Sequence, residues 1–352
     1  MNNTNPFLFD LTLHQLQEII TGLGAPAFRA KQVWDRAYIK LAGSFDEMSD
    51  IPKTLREKLK EEIRFTHLTT LIDILSKDSW TRKILFGLHD NKQVETVLMG
   101  YNTRRTACIS TQAGCGLGCT FCATGQAGLQ RNITAGEIVE QVLFIDRLLR
   151  IKNDKLTNLV FMGMGEPFAN YKEVMKSVDI LTDVSGYNFG ARRITISTVG
   201  LVPMIEKFAS ENRQVNLAVS LHAASDELRE SMLPINKKYP LRELMPACRE
   251  YTKKTNRRLS FEWALIDNVN DTPEQAKLLA QMIKGMLCHV NFIPLNPTKG
   301  FDGHESQVNR IKEFRGILDR HGIPNTLRIR RGIDINAGCG QLRQEFVRGK
   351  AN

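Results

Sequence analysis

From Thr106 onward the apolar pattern settles into one repeated unit: a short aliphatic run, a loop rich in glycine and polar residues, then a helical stretch. Strands are expected at 107–110, 158–162, 193–197, 215–221, 259–265 and 290–295, and helices at 135–149, 172–184, 203–209, 241–255, 273–286 and 307–321. Consecutive strands connected through helices pair in parallel by right-handed crossovers. Six alternations therefore predict an α/β protein whose parallel sheet is wrapped by helices and closes, or nearly closes, into a partial (βα)6 barrel. In barrels of this kind chemistry gathers at the C-terminal ends of the strands.

The first 92 residues read differently. Leu11, Leu13, Leu16, Ile19 and Ile20 follow helical spacing, a second helical segment runs from Phe28 through Val33 and Trp34, and a third starts near Pro52 with Leu55, Leu59 and Ile63. Short strands at 68–75, 81–88 and 93–99 follow, with His89-Asp90-Asn91 turning the last two. The expected division is an accessory domain at 1–92, a barrel at 93–332 and a tail at 333–352.

Seven cysteines are an odd number, and three of them fall within eight residues, which argues against a secreted disulfide framework and for a reducing compartment. The opening run Met1-Asn2-Asn3-Thr4-Asn5-Pro6 lacks a secretory pattern and no apolar stretch reaches membrane-spanning length, so a soluble cytoplasmic protein is expected. The 48 lysines and arginines exceed the 38 acidic side chains by ten, a field that draws polyanions. Basic groups at Arg104-Arg105, Arg192-Arg193, Lys253-Lys254, Arg257-Arg258 and Arg328, Arg330 and Arg331 make RNA the first partner to consider. Cys248 and Cys288 read as small apolar filler.

Directly after the first barrel strand stands Cys115-Gly-Leu-Gly-Cys119-Thr-Phe-Cys122, three thiols on a glycine-rich loop. Three thiolates can hold three corners of an iron–sulfur cubane and leave one iron without a protein ligand. Structural zinc with a fourth ligand from elsewhere is the competing use of such a triplet. The C-x3-C-x2-C spacing, the position after the first strand and Phe121 just before the third cysteine resemble the radical-SAM superfamily. That resemblance implies a [4Fe-4S] cluster on Cys115, Cys119 and Cys122, with S-adenosylmethionine chelated by the open iron and cleaved to a 5′-deoxyadenosyl radical. Polar groups at later strand ends fit a cofactor cleft: Gly165 and Glu166, Ser197, Ser220-Leu221-His222, and Asn296.

A more specific likeness covers nearly the whole chain. Ala107-Cys108-Ile109-Ser110, Gly163-Met164-Gly165-Glu166-Pro167, Ser220-Leu221-His222-Ala223 and 332–342, Gly-Ile-Asp-Ile-Asn-Ala-Gly-Cys-Gly-Gln-Leu, resemble the radical-SAM adenosine C2 methyltransferases of ribosomal and transfer RNA, the RlmN type. The implied fold is a partial (βα)6 radical-SAM barrel with a small N-terminal helical accessory domain. The implied activity is methylation of adenosine C2 in 23S rRNA, at the peptidyl-transferase centre, and in tRNA, 3′ of the anticodon. C2 carries no nucleophilic lone pair, which is why a radical route is needed. By resemblance, one S-adenosylmethionine methylates Cys339, and the radical from a second removes hydrogen from that methyl group. The resulting carbon radical adds to C2, and Cys108 resolves the adduct as a disulfide forms with Cys339. Glu95 matches a position treated in the family as a proton acceptor, a role Cys108 could also fill. Asn336 and Gly338 depart from the aspartate and alanine frequent in the family.

The resemblance also implies an electron donor of the flavodoxin or ferredoxin type, no membrane association, and a monomer. The front helical module is the expected grip on folded RNA. Two other readings predict different outcomes: a resistance-type methyltransferase acting on C8 of adenosine, and a zinc-stabilised RNA-binding protein without catalysis. Pro167 and the approach Arg328-Ile-Arg-Arg331-Gly332 resemble the C2 enzymes more.

Overall fold

The structure, a computed structural model, describes residues 5–342, so the opening residues 1–4 and part of the expected tail lie outside the described residues. Three helices come first: α1 (Leu13–Gly22), α2 (Phe28–Tyr38) and α3 (Lys53–Glu62). Helix α1 begins where the Thr12 hydroxyl accepts from the Gln15 N–H while the Gln15 side chain accepts from the Thr12 N–H, a reciprocal cap that satisfies two otherwise orphaned donors. These helices bury Leu16, Ile20, Val33, Trp34, Leu55 and Leu59 in a core continuous with that of the barrel. Each such side chain is worth roughly 1.5–3 kcal/mol. At the seam, the Arg147 guanidinium donates to the Leu41 and Ala42 carbonyls at 2.7 and 3.0 Å. His67 Nε2 lies 2.8 Å from the Asp10 carboxylate, and the His67 N–H donates to Glu140 at 2.8 Å.

Strands β1 (Thr69–Leu75), β2 (Thr81–Gly87), β3 (Gln93–Gly100) and β4 (Arg105–Cys108) run antiparallel in succession. A small hairpin of β5 (Gln112–Gly114) and β6 (Leu129–Asn132) brackets α4 (Ala123–Gln126), and α5 (Ala135–Arg150) leads to β7 (Asn158–Phe161). Then come α6 (Tyr171–Thr182), β8 (Ile194–Thr198), α7 (Val202–Ser210), β9 (Asn216–Ser220), α8 (Asp226–Met232), α9 (Leu241–Thr255) and β10 (Leu259–Leu265). The barrel ends with α10 (Pro273–Met282), β11 (Cys288–Pro294), α11 (Val308–Arg320) and β12 (Asn325–Leu327).

One ten-stranded sheet runs in the order β1-β2-β3-β4-β7-β8-β9-β10-β11-β12, parallel from β4 onward. The six expected barrel strands are present within two residues at each end, and β12 adds a seventh. Among the described residues no ladder joins β12 to β1, so the sheet is an open partial barrel. Two expectations change. The division at 92/93 falls inside the β2–β3 ladder, paired from Thr81↔Met99 to Gly87↔Gln93, so the hairpin belongs to the main sheet. The first barrel strand ends at Cys108 rather than at 110, because Thr111 and Gln112 turn to donate to the Met164 carbonyl. Cys248 in α9 and Cys288 in β11 are buried.

Candidate active site

The cysteine loop is pinned at its base. The Cys115 N–H donates to the Gly128 carbonyl at 3.0 Å, closing the β5–β6 hairpin around residues 115–128. Gly114 makes the closure possible: its φ is +78°, and a Cβ there would sit 2.0 Å from the Gly128 oxygen. Cys115, Cys119 and Cys122 all face a cleft of about 980 Å³ at the C-terminal ends of the strands. Burial pushes the Cys115 thiol up to about 11 and the Cys119 thiol higher still. Thiols held protonated in this way become ligands once a metal displaces their protons.

The opposite walls come from successive strand ends: Gly165 and Glu166 after β7, Ser197 and Thr198 ending β8, Ser220 and His222 at and after β9, Ala264 in β10, and Asn296 after β11. The Glu166 carboxylate already accepts from the Phe168 and Val199 N–H groups, each at 2.9 Å, while its own N–H donates to Gln112 at 2.8 Å. It therefore knits the end of β7 to the end of β8 as well as facing the cleft. Burial raises its carboxyl to about 7 against the hydrogen bonds that lower it. His222, at φ +60°, accepts on Nδ1 from the Ala264 N–H at 2.8 Å, so its ring proton is on Nε2. Burial, helped by Arg229, lowers it to about 3 and keeps the ring neutral.

Leu221 does not line the cleft. Its side chain is fully buried in the apolar core, and only its backbone serves the site, donating to Glu262 and accepting from Arg229. Asn296 lines the cleft but donates to the Cys339 carbonyl at 3.0 Å, so it also holds the loop that carries the thiol.

That loop folds back over the barrel mouth. The Gln341 amide group donates to the Pro297 carbonyl and accepts from the Gly338 N–H, each at 3.0 Å, and the Ala123 N–H donates to the Gly340 carbonyl at 2.8 Å. Cys339 thereby comes to line the cleft of the three cysteines and also a second, smaller cavity of about 620 Å³ that contains Cys108. The two thiols are both free. Burial raises the Cys108 thiol to about 12 against the Arg328 guanidinium, which lowers it, whereas Cys339 is exposed. Glu95 lies elsewhere: it is buried on β3, its carboxylate is 3.0 Å from Lys83 Nζ, and it lines a third cavity with Asp334 and Asn336.

The radical SAM superfamily profile matches residues 109–280, and the profile of the ribosomal RNA large subunit methyltransferase N-terminal domain matches residues 7–64. A crystal structure of a radical SAM methyltransferase from Sphaerobacter thermophilus superposes with a TM-score of 0.93 at 51% identity, covering 96% of this chain and 99% of that one. The dual-specificity RNA methyltransferase RlmN 1 of Myxococcus xanthus is 47% identical over 347 residues, 99% of this chain and 97% of that protein. The chain belongs to the RlmN family. A relative from Dictyoglomus turgidum, named a probable dual-specificity RNA methyltransferase RlmN, is 43% identical over 99% of both chains.

The chain is thus a radical SAM RNA methyltransferase whose cofactors are a [4Fe-4S] cluster and S-adenosylmethionine. The donor set fits: three thiols line one cleft together with the polar groups of four strand ends. No helix among the described residues is long and apolar enough to cross a membrane.

Two charged residues of this RlmN-family site, Arg229 and Glu262, escaped sequence reasoning. Arg229 is fully buried and donates to the Val199, Ser220 and Leu221 carbonyls and to Asn236. Glu262 faces the cleft from β10 and pairs with Arg328 at 3.1 Å. Arg328, one of the candidate RNA contacts, lines the cavity of Cys108 and Cys339. Of its neighbours, Arg330 pairs with Glu305, and Arg331 lies over the Trp80 and Tyr101 rings. A buried arginine in a sequence such as Asp226–Met232 gives no signal, because its acceptors are carbonyls from distant strands.

Proposed function

We propose that this enzyme methylates C2 of adenosine in 23S rRNA and in tRNA, with Cys115, Cys119 and Cys122 holding the cluster and Cys339 carrying the one-carbon unit. The observation that carries this reading is the position of Cys339, which faces both the cleft of the three cysteines and the cavity of Cys108. A thiol at that junction can take up a methyl group on one side and present it to a base on the other. When bound, the cluster and S-adenosylmethionine supply the methyl group and the radical that activates it.

The protein's own residues do the rest. Gly165, Glu166, Ser197, Ser220 and His222 wall the nucleoside site, with His222 neutral and Nε2–H free to donate. Asn296 fixes the Cys339 carbonyl and hence the direction of the sulfur. Once the one-carbon unit is bonded to C2, and the adduct has given one electron back to the enzyme's redox centre and lost the C2 proton, the Cys108 thiolate attacks the Cys339 sulfur. An S–S bond forms, the S–C electron pair leaves with the carbon, and that carbon takes a proton to become methyl. Cys108 shares the cavity with Cys339, whereas Glu95 faces another and pairs with Lys83, which favours Cys108 as acceptor of the C2 proton.

The helical module at 7–64 grips the folded part of the RNA, and an adenine that leaves its stack reaches the thiols. Electrons come from a flavodoxin- or ferredoxin-type donor, and the enzyme works as a cytoplasmic monomer. The test is anaerobic turnover of the reconstituted protein with S-adenosylmethionine, reductant and either RNA, reading nucleosides by mass spectrometry. 2-Methyladenosine supports the reading, 8-methyladenosine moves the regiochemistry, and no methylated adenosine from cluster-loaded protein refutes it.

A further inference from the structure

Met99, Tyr101, Cys108, Met162 and Arg328 form much of the wall of the cavity beyond Cys339. Arg328 is anchored at both ends. Its backbone N–H donates to the Phe292 carbonyl at 2.8 Å, and its Nη2 lies 3.1 Å from the Glu262 carboxylate. Glu262 is fixed in turn by Asn291 Nδ2 at 2.9 Å, Asn291 by the Thr326 hydroxyl at 2.9 Å, and Thr326 by His289 at 3.0 Å. Among the described residues the other terminal nitrogen, Nη1, has only the Met162 thioether sulfur as its side-chain partner, at 3.9 Å, and a thioether is a weak acceptor. A firmly held cation thus keeps a donor facing the cavity where the two thiols meet. The other lining arginines are engaged: Arg330 donates to the Leu295 carbonyl and pairs with Glu305, and Arg331 is held over Trp80 and Tyr101.

We propose that Arg328 is a catalytic residue that donates an N–H from Nη1 to the ring nitrogen, N1 or N3, flanking C2 of the target adenine. The inference rests on the C2 reading above. When a carbon radical on the Cys339 sulfur bonds to C2, one electron of the ring C–N π bond enters the new C–C bond and the other is left on the ring. The flanking nitrogens carry much of that density, and a guanidinium hydrogen bond stabilises it without giving up its proton. No oxidant or proton transfer is needed for this step. The same contact selects a base with an acceptor beside the attacked carbon, because a base without one leaves the cation's donor unpaired.

The test uses single-turnover methylation of RNA carrying adenosine, 1-deazaadenosine or 3-deazaadenosine at the target position, by the cluster-loaded wild type and by R328M. One of the two deaza substrates is expected to slow the wild type about ten- to a hundredfold, the range of a hydrogen bond to a charged group. R328M is expected to lose a similar factor on adenosine and to show no further loss on that deaza substrate, and R328K to recover part of the rate. Each deaza base also changes the ring's own reactivity, so the coupling between the two changes carries the conclusion. If the losses simply multiply at both nitrogens, the inference is overturned. A shifted pH profile for alkylation of Cys339 or Cys108 in R328M, together with multiplied losses, would assign the arginine to the thiols and overturn it equally. If R328M does not accumulate as folded, cluster-loaded protein, the same comparison is made with R328K. A wild type that forms no 2-methyladenosine from unmodified RNA removes the C2 reading itself, a result distinct from multiplied losses.

Discussion

Replacing Arg229 by methionine tests whether the strand-end loops that wall the cofactor cleft are held by one buried cation. The side chain is fully buried and remains protonated at neutral pH, since burial lowers it only to about 10. It donates to the Val199 carbonyl and to Asn236 Oδ1 at 2.6 and 2.9 Å, and more weakly to the Leu221 and Ser220 carbonyls at 3.3 and 3.4 Å. Methionine approximates the aliphatic stem and strips the Val199 carbonyl and Asn236 Oδ1 of their short bonds to the guanidinium, while the Leu221 carbonyl keeps the Ala223 N–H at 2.8 Å. Two short bonds lost at about 1–2 kcal/mol each, with a smaller contribution from the longer pair, give about 3–5 kcal/mol. For a chain this size that is a fall of roughly 4–7 °C in melting temperature. Thermal unfolding of the cluster-free protein reads the stability, and equilibrium binding of S-adenosylmethionine to the reconstituted protein reads the cleft, where affinity should drop because Val199 and Ser220 line it. A melting temperature within about 2 °C of wild type with unchanged affinity would refute the reasoning.

Gly165→Ala should disrupt the same wall from the other side. At φ +100° a Cβ would lie 2.7 Å from the Gln112 backbone nitrogen, and strain plus overpacking of about 2–4 kcal/mol should appear in unfolding experiments together with weaker S-adenosylmethionine binding; an unaltered melt would contradict this. At the seam of the helical module, burial raises Glu140 from 4.5 to about 7 and lowers His67 from 6.5 to about 3. Between pH 4.5 and 6.5 the folded state holds a proton on Glu140 that the unfolded state lacks, so stability falls as pH rises, while His67 does the reverse, and the two slopes offset. Glu140→Gln removes one slope, so stability should fall by about 1.4 kcal/mol for each pH unit below 6.5, a trend that melting temperature against pH checks.

The parallel strands were legible because each is a run of aliphatic or aromatic residues long enough to show a period, as in Leu259–Leu265. β12, only Asn325–Leu327, is too short and too polar to show one, and its identity comes from its ladder with β11. The three-cysteine loop and the strand-end glycines were legible for a chemical reason: metal ligation and close backbone approach restrict residue type at fixed spacing. Contacts made by common residues across long sequence separations left no such mark. Leu221 was placed at the cofactor on its neighbours' account, yet its side chain belongs to the core. Lys83 on β2 meets Glu95 on β3 through strand register, which no local pattern specifies. Arg328 looks in sequence like its neighbours Arg330 and Arg331, and only the fold sets it against Glu262 between two thiols.

The central claim, that Cys339 carries the methyl carbon to RNA and Cys108 releases it, is tested most directly by Cys108→Ala under anaerobic turnover with S-adenosylmethionine, reductant and RNA. Intact mass spectrometry should find a covalent protein–RNA species linked through Cys339, and the Cys108→Ala, Cys339→Ala double variant should form none. Free RNA and no adduct from the cluster-loaded single variant would contradict the account.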